Sequence, residues 1–245
     1  MDQMRRLTPE ERTIPFQRWW NVRDLGGLPT ESGGITRSDV VVRATTPEHA
    51  TPADVEKARR RGLTTFVDLR TPRDPAWWFS ESPEVHRRVV NVVASVHGVR
   101  ETDDEVLTVI LDQGRREVGE AIRAVVELAE SSPPVVLHCH TGKDRTGLVV
   151  MILLLLSGVP REVVVEDYLA SNPGFEQMRA VLDPSGDTLF SPKAPAAVRG
   201  PVTLTAADAA LRFIDESGGV RAYLRSAGLS DEEIDRAAGL LFDGD

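Results

Sequence analysis

The sequence is poor in cysteine and in long apolar runs. Its 245 residues include a single cysteine, Cys139, which excludes an intramolecular disulfide and a structural zinc site built on paired cysteines. The longest apolar run, residues 148–156, falls well short of the roughly 18 residues at which a membrane span is considered. We therefore predict that this run is a buried helix and that the lone cysteine serves packing or chemistry.

Positive charge is also scarce. The chain has 29 lysines and arginines against 38 acidic residues, a net charge of −9, whereas a general nucleic-acid or anionic-membrane binder needs a broad positive face. A phosphate site must then be a local positive spot on a negative protein. Residues 1–20 contain no apolar segment of the kind that a Sec signal peptide needs, so we predict a cytoplasmic protein, with export by another route left open.

The order of the elements predicts an α/β fold. Thr51 followed by Pro52 is typical of a helix start. Short apolar runs predict strands over residues 40–42, 64–69, 89–93 and 135–138. Helical spacing of apolar residues predicts helices over residues 51–62, 115–130 and 146–157. This alternation favours a central, mostly parallel sheet flanked by helices.

The last third of the chain, about residues 160–245, has a different character. Its pattern predicts a set of helices, one of which opens with a capping box formed by Ser230 and Glu233. A Pro/Gly/Ser-rich stretch at 183–201 predicts a mobile loop or lid. Since no internal repeat is visible, we predict a single domain over residues 1–245, with an N-terminal arm of about 20 residues.

The stretch between the strand at 135–138 and the apolar helix carries most of the chemical information. It reads His-Cys-His-Thr-Gly-Lys-Asp-Arg-Thr-Gly over residues 138–147. A phosphate dianion needs inward-pointing amide N–H groups, which a loop closing on a helix N-terminus supplies together with the positive end of the helix dipole. Gly142 allows the tight turn that such a loop needs. The predicted substrate-binding residues are His140, Thr141, Gly142, Lys143, Asp144 and Arg145.

Cys139 and Arg145 have the side chains that phosphoryl transfer requires. A guanidinium grips two phosphate oxygens at once, and the loop amides and helix dipole favour the thiolate form of cysteine. We predict that the thiolate attacks phosphorus, that water then hydrolyses the phosphocysteine, and that no metal or other cofactor takes part. Thr146 is a candidate donor to the departing thiolate and His138 a candidate for orienting the loop. Lys143 adds a charge that would favour substrates with more than one phosphate.

The source of the proton for the leaving oxygen is left open by the sequence. Asp68, at the end of a predicted strand, and Asp144, within the loop, are the two main candidates. An alternative role for Asp68 is structural, as the ion-pair partner of Arg43 or Arg70. Weaker candidates for the acid are Asp74 and Asp103.

Three other interpretations fit the loop less well. A metal site on His138, Cys139 and His140 conflicts with the geometry of a strand, because successive side chains point to opposite faces. An ATP-binding loop would need a further glycine, and a Ser or Thr where Asp144 stands. A catalytically inactive phosphate-binding module would need a defect in the nucleophile, the arginine or the acid, and the sequence shows none.

Two features outside the loop also have alternative roles. The aromatic residues Trp77, Trp78 and Phe79 favour packing in the core or a lid over a platform for a ligand. Arg23 and Asp24 favour a structural ion pair over a catalytic role. We predict structural roles for both groups.

The loop resembles that of the cysteine phosphatases with an H-C-x-x-G-K-x-R-T-G signature. With Asp144 inside it, the loop resembles the atypical bacterial tyrosine and lipid phosphatases of the secreted mycobacterial type. Other matching segments are Asn-Val-Arg-Asp-Leu-Gly-Gly at 21–27, Val-Arg-Ala at 42–44, Val-Asp-Leu-Arg at 67–70, Asp-Tyr-Leu at 167–169 and Gly-Val-Arg-Ala-Tyr-Leu at 219–224. The resemblance therefore extends over most of the chain.

This resemblance implies a cysteine-phosphatase fold. It also implies activity on phosphotyrosine, on phosphoserine or phosphothreonine, and on phosphoinositides, in varying proportions. The active-site positions that it implies are Cys139, Lys143, Asp144 and Arg145, with Asp68 as a further candidate. The Trp-Trp-Phe segment at 77–79 and the short loop before Arg115 depart from the pattern, which leaves the lid and the substrate surface open.

Overall fold

The computed structural model describes residues 5–74, 76–92, 105–185 and 199–242. The strands of these ranges are β1 (Arg23–Asp24), β2 (Val41–Ala44), β3 (Thr65–Asp68), β4 (His86–Val89) and β5 (Val135–His138). The α-helices are α1 (Pro9–Arg12), α2 (Pro52–Arg60), α3 (Val106–Gln113), α4 (Arg115–Ser131), α5 (Asp144–Leu156), α6 (Arg161–Leu169), α7 (Ser171–Leu182), α8 (Leu204–Glu216), α9 (Val220–Ser226) and α10 (Asp231–Gly239).

The five strands form one sheet in the order β1-β2-β5-β3-β4. β2, β5, β3 and β4 run parallel, and only the short β1 is antiparallel to its neighbour. β5 is buried along its whole length between β2 and β3. Because parallel strands end at the same edge of a sheet, Ala44, Asp68 and His138 are direct neighbours. The predicted α/β fold with a mostly parallel sheet is confirmed, and the chain after β5 leaves the sheet at this edge.

The helix that follows β5 packs through the middle of the molecule. α5 is apolar on all sides, and its residues from Thr146 to Leu154 are buried. It contacts β2 and β5 of the sheet and the helices α3, α4, α6, α9 and α10. A helix that is hydrophobic all round belongs in a core, so the prediction of a buried helix over 148–156 is confirmed. None of the helices in the described ranges is long and apolar enough to cross a membrane.

Helix starts agree with the capping chemistry of the sequence. Thr51 accepts a hydrogen bond from the backbone N–H of Asp54 and completes a capping box, with Pro52 in the first turn of α2. Ser230 and Glu233 form the predicted capping box of α10. A third box, at Thr8, begins the four-residue α1. Short polar motifs therefore predicted two of these three starts correctly.

The strand predicted over 89–93 is in the wrong place. β4 covers His86–Val89 and pairs with β3 at the edge of the sheet, where its side chains alternate between exposed and half-buried. An edge strand needs no continuous apolar run, and the buried Val90 and Val92 lie just beyond it. Val93 lies outside the described residues.

One helix was not predicted, and another begins earlier than predicted. α3 was missed because it is only eight residues long, although Leu107, Ile110 and Leu111 form its buried face. α5 begins at Asp144, two residues before the predicted start. Of the stretch 183–201, residues 186–198 lie outside the described residues, so the lid stays a prediction.

Candidate functional site

Residues 139–143 connect the central strand to the N-terminus of α5 and form the loop that we call the phosphate loop. Cys139 is its first residue, and its thiol is free and buried. The ends of the neighbouring strands hold this loop from both sides. The Leu69 N–H donates to the His138 carbonyl at 2.8 Å, and the Thr46 N–H donates to the His140 carbonyl at 2.9 Å. The thiol is therefore fixed where the sheet meets a helix N-terminus.

Gly142 gives the phosphate loop its tight path. Its φ is +66°, and a Cβ placed there would lie 2.4 Å from the Ala44 carbonyl oxygen. The position therefore accepts only glycine, both for its backbone conformation and for its space. Its carbonyl oxygen accepts hydrogen bonds from Asn21 Nδ2 at 2.9 Å and from Arg43 Nη2 at 2.8 Å.

The first turn of α5 places three predicted site residues next to one another. Asp144 is the first residue of the helix and is half-buried. Arg145 is also half-buried, and its Nη1 donates to the Leu69 carbonyl at 3.1 Å. Thr146 is fully buried, and its hydroxyl has no hydrogen-bond partner within the described part of the chain. An acid, a guanidinium and an available hydroxyl thus follow directly on the loop.

The two histidines beside Cys139 have separate surroundings. His138 is fully buried, with Nδ1 3.0 Å from the Cys139 carbonyl oxygen. Burial lowers the pKa of His138 to about 4, although Asp68 opposes that shift, so the ring is neutral at neutral pH. The His140 Nε2 lies 3.2 Å from Asp74 Oδ1, and burial lowers the pKa of His140 as well. The two rings therefore do not converge on one point as metal ligands would.

Asp68 is fully buried and held by two arginines. Its carboxylate accepts hydrogen bonds from Arg70 Nη2 at 3.0 Å and from Arg87 Nη2 at 2.6 Å. Burial alone would raise the pKa of Asp68, but the guanidinium groups of Arg70 and Arg87 outweigh it and hold the pKa well below its usual range. The carboxylate is ionised and engaged, which favours the structural alternative, with Arg70 as partner instead of Arg43.

Lys143 is fully buried, in contrast to the open position that a second phosphate would need. Its Nζ donates to the Gly200 carbonyl and lies 4.1 Å from the centre of the Phe175 ring. Gly200 comes two residues after the segment 186–198, which is not described. The ammonium is therefore covered by α7 and by the chain that leads into α8.

A second buried carboxylate, Asp167 on α6, binds three arginines. Arg12 Nη2 lies 2.8 Å from Oδ1, Arg23 Nε 3.1 Å from Oδ1 and Arg43 Nη1 2.7 Å from Oδ2. We call these four residues the Asp167 cluster. The predicted ion pair between Arg23 and Asp24 is wrong, because Arg23 turns to Asp167, while the Asp24 carboxylate accepts the backbone N–H groups of Gly26 and Asp39.

The three aromatic residues at 77–79 lie in two different environments. Trp77 and Phe79 are buried and pack on Phe66, as the packing interpretation predicts. Trp78 is 59% exposed, and its indole N–H donates to the Ala50 carbonyl at 3.1 Å. One ring of the three is therefore presented to solvent in a fixed orientation.

The remaining candidate acids are Asp74 and Asp103. Asp74 is half-buried and bonded to His140, and although burial opposes it, this bond and those from Thr71 lower its pKa. Asp103 lies outside the described residues. In the ranges that the structure covers, no three His, Cys, Asp or Glu side chains group as metal ligands would.

Three residues with close contacts to the site were not predicted to have a role there. Asn21 and Arg43 reach Gly142 across 121 and 99 positions of the sequence, and Asp167 anchors Arg43. Their only signal in the sequence is that they lie in the segments at 21–27, 42–44 and 167–169. Nothing in their spacing indicates that they meet.

The chain is similar to known phosphatases over nearly its whole length. The model of the tyrosine phosphatase family matches residues 14–242. The chain is 37% identical over 278 aligned positions to the triple specificity protein phosphatase PtpB of Mycobacterium tuberculosis, covering 91% of this chain and 96% of that protein. It is 27% identical over 218 positions to a tyrosine-protein phosphatase of Nostoc commune, covering 80% and 72%. A crystal structure of P. aeruginosa TpbA covers 72% of this chain and 87% of its own, with 24% identity and a TM-score of 0.37.

Proposed function

Because the chain belongs to the tyrosine phosphatase family, we propose that it hydrolyses phosphate monoesters through a phosphocysteine at Cys139. The observation that carries this proposal is the position of the buried thiol at the end of β5, one short loop before the N-terminus of α5. Backbone N–H groups and the helix dipole at that point favour a bound dianion. The Arg145 guanidinium lies at the same end of the helix and supplies the fixed charge that phosphate needs.

The reaction has two steps. The Cys139 thiolate attacks phosphorus, an S–P bond forms, and the bond between phosphorus and the leaving oxygen breaks as that oxygen takes a proton from an acid. Water then attacks phosphorus, the S–P bond breaks, and inorganic phosphate and the thiolate are released. In both steps Arg145 holds the equatorial oxygens, and the buried Thr146 hydroxyl is a donor for the thiolate as it departs.

Asp144 is the better candidate for the acid. Asp68 is buried and bonded to two arginines that favour its charged form, so it has no proton to give at neutral pH. Asp74 is engaged with His140. Asp144 is half-buried in the first turn of α5, next to the arginine that would grip the phosphate. This position supports proton transfer from Asp144 to the leaving oxygen.

The proposed substrates are phosphotyrosine proteins, with phosphoinositides as a second class. The names of the relatives, a tyrosine-protein phosphatase and a triple specificity protein phosphatase, support both the tyrosine activity and a broader range. The buried Lys143 bears on the second class, because a further phosphate would have to replace its bond to the Gly200 carbonyl. The cytoplasmic location and the single domain over residues 1–245 stay predictions, which cell fractionation and limited proteolysis would test.

Hydrolysis of p-nitrophenyl phosphate by the wild type and by Cys139→Ser tests the proposal. The wild type should turn over and form a phosphoryl adduct on Cys139 that mass spectrometry detects after acid quenching, whereas Cys139→Ser should do neither. A matched control is Ser157→Ala, which removes a hydroxyl from the far end of α5. Equal rates for the wild type and Cys139→Ser would exclude a cysteine nucleophile.

A further inference from the structure

The carbonyl oxygen of Gly142 is held by two donors from outside the phosphate loop. Asn21 Nδ2 and Arg43 Nη2 both donate to it, at 2.9 and 2.8 Å. A carbonyl oxygen has two lone pairs, so these donors fill its bonding capacity. Both side chains are buried, and neither bond therefore competes with solvent. The orientation of the peptide group between Gly142 and Lys143 is set by these two side chains, which we call the Gly142 clamp.

Holding this carbonyl also orients the next amide. In a trans peptide the C=O and the following N–H point in opposite directions, so the N–H of Lys143 is directed away from Asn21 and Arg43. An anion held on the side opposite to the two donors could accept a bond from that N–H. A row of N–H groups directed to one point is the usual means by which a loop holds an anion.

Both members of the clamp are themselves fixed. Asn21 has a φ of +51°, a conformation that asparagine tolerates better than most residues, and Gly174 packs so closely that a Cβ there would lie 2.8 Å from the Asn21 nitrogen. Arg43 is also bonded to Asp167 Oδ2 at 2.7 Å and to Ser171 Oγ at 2.6 Å. Both members of the clamp are therefore held by contacts that do not involve a ligand.

The charge behind the clamp favours an anion in front of it. The Asp167 cluster has three guanidinium groups and one carboxylate, all buried, which leaves two positive charges unbalanced within it. Buried charge without a partner is costly. Burial and the repulsion of Arg23 and Arg12 lower the pKa of Arg43 to about 10, despite the opposing effect of Asp167. The guanidinium is still charged at neutral pH, and a dianion in the phosphate loop would offset this excess.

We propose that Asn21 and Arg43 are positioning residues for phosphate, which hold the Gly142 carbonyl so that the Lys143 N–H faces the bound dianion. The inference rests on the proposed function, because it assumes that the phosphate loop binds the phosphate of the substrate. Neither residue touches the reacting atoms. Their effect is on how the backbone of the loop receives the phosphate.

Each of two variants removes one donor of the clamp, and each also changes one contact of the Asp167 cluster, because Asn21 Oδ1 accepts a bond from Arg23 Nη1 at 2.8 Å and Arg43 binds Asp167 itself. Asn21→Gly removes one donor and keeps a residue suited to a positive φ. Arg43→Lys keeps the charge but has no planar fork to reach Gly142 and Asp167 together. The matched control is Arg12→Lys, because Arg12 binds the same Asp167 but donates its other bond to the Asp24 carbonyl instead of the phosphate loop.

The inhibition constant of inorganic phosphate and kcat/KM for p-nitrophenyl phosphate are measured for each protein, with thermal unfolding to confirm that it is folded. Each clamp variant should weaken phosphate inhibition about tenfold and lower kcat/KM by at least as much, since one preorganised donor to a transition state is worth about 10²-fold or more. Arg12→Lys should stay close to the wild type. The double variant should lose more than the two single losses combined, because each donor alone still holds the same carbonyl.

Wild-type phosphate inhibition in both folded clamp variants would overturn the inference. An equal loss in Arg12→Lys would also overturn it, because the cause would then be the stability of the Asp167 cluster. A wild type that hydrolyses no phosphate ester is a different outcome. It would refute the proposed function, and calorimetric binding of inorganic phosphate by the same variants would still decide on the clamp.

Discussion

Asp68 and Asp167 are two buried carboxylates on either side of the central strand, and they differ in how their charge is balanced. Asp68 on β3 binds Arg70 and Arg87, and Glu48 lies 3.5 Å from Arg70, so two acids face two bases. Asp167 binds three arginines and no second acid lies within salt-bridge distance of them in the described ranges. The same residue types therefore build a neutral group on one side of the phosphate loop and a positive group on the other.

This difference separates two functions of buried charge. The neutral group fixes the end of β3 and, through the Leu69 carbonyl, the place where Arg145 binds. The positive group supports the phosphate loop through Arg43. A carboxylate with several arginines is thus not in itself a sign of catalysis, and the charge left over decides its role.

The largest effect should come from neutralising the two buried carboxylates, each in a separate variant. Asp167→Asn leaves three buried guanidinium groups without an anion, and we expect a loss of about 3–5 kcal/mol in the free energy of unfolding. Asp68→Asn should lose less, because Glu48 remains near Arg70 and the Arg87 side chain is 20% exposed and can reach solvent. Urea denaturation at pH 7 measures both. Equal losses would contradict the difference in charge balance.

The next effect concerns His138, whose Nε2 lies 3.8 Å from Asp68 Oδ2. Its pKa falls from 6.5 in the unfolded chain to about 4 in the fold, so between these values only the unfolded state binds the proton. The stability that the neutral ring contributes is full above pH 6.5 and is lost as the pH falls toward 4, by up to about 3 kcal/mol.

Urea denaturation of the wild type and of His138→Gln between pH 7 and 4 tests this sign. The variant should lose less stability than the wild type over that window, because glutamine does not titrate. His86→Gln, at an exposed position of β4, is the matched control and should follow the wild type. A parallel decline in all three proteins would show that His138 titrates normally.

A further prediction distinguishes Asp144 from Asp68 as the proton donor. Asp144→Asn should lower kcat on phenyl phosphate about 10²-fold and affect p-nitrophenyl phosphate far less, because p-nitrophenolate leaves without a proton. Asp68→Asn should lower both rates to the same degree, as expected of a structural carboxylate. If the dependence on the leaving group appeared in Asp68→Asn instead, the roles of the two residues would be reversed.

The smallest effect should come from replacing Lys143, whose Nζ lies against the Phe175 ring of α7. Because a further phosphate must first displace the Gly200 carbonyl from Lys143, Lys143→Ala should lose at most about tenfold more activity on a phosphoinositide than on a phosphotyrosine peptide, the equivalent of one charge-assisted bond. Lys57→Ala is the matched control, since Lys57 on α2 binds the Pro15 carbonyl and the Phe16 ring. A uniform loss on both substrates would leave Lys143 with a purely structural role.

Local patterns predicted the parts of the fold that local chemistry determines. The strand at 135–138, the helix start at Thr51, the capping box at Ser230 and the buried helix after the phosphate loop were all predicted from neighbouring residues. β4 was misplaced because an edge strand is defined by its partner, β3, and not by its own apolar content. The candidate site residues 139–146 lie together for the same reason as the caps, because they are neighbours in the sequence.

The supporting contacts of the site could not be predicted in this way. Asn21, Arg43 and Asp167 meet only because β2, α6 and the N-terminal segment come together around Gly142. The choice between Arg43 and Arg70 as partner of Asp68 likewise depends on which face of the sheet each side chain occupies. Such pairings depend on tertiary geometry, which the spacing of residues in one sequence does not contain.

The exposed Trp78 is an intrinsic fluorescent probe. Of the four tryptophans, the other three are buried, so a collisional quencher in solution reaches only this indole. Its N–H is fixed to the Ala50 carbonyl, and that segment is joined to the phosphate loop by the bond from Thr46 to His140. Quenching of the intrinsic fluorescence therefore reports on the surroundings of Trp78, which these bonds connect to the phosphate loop, without any added label.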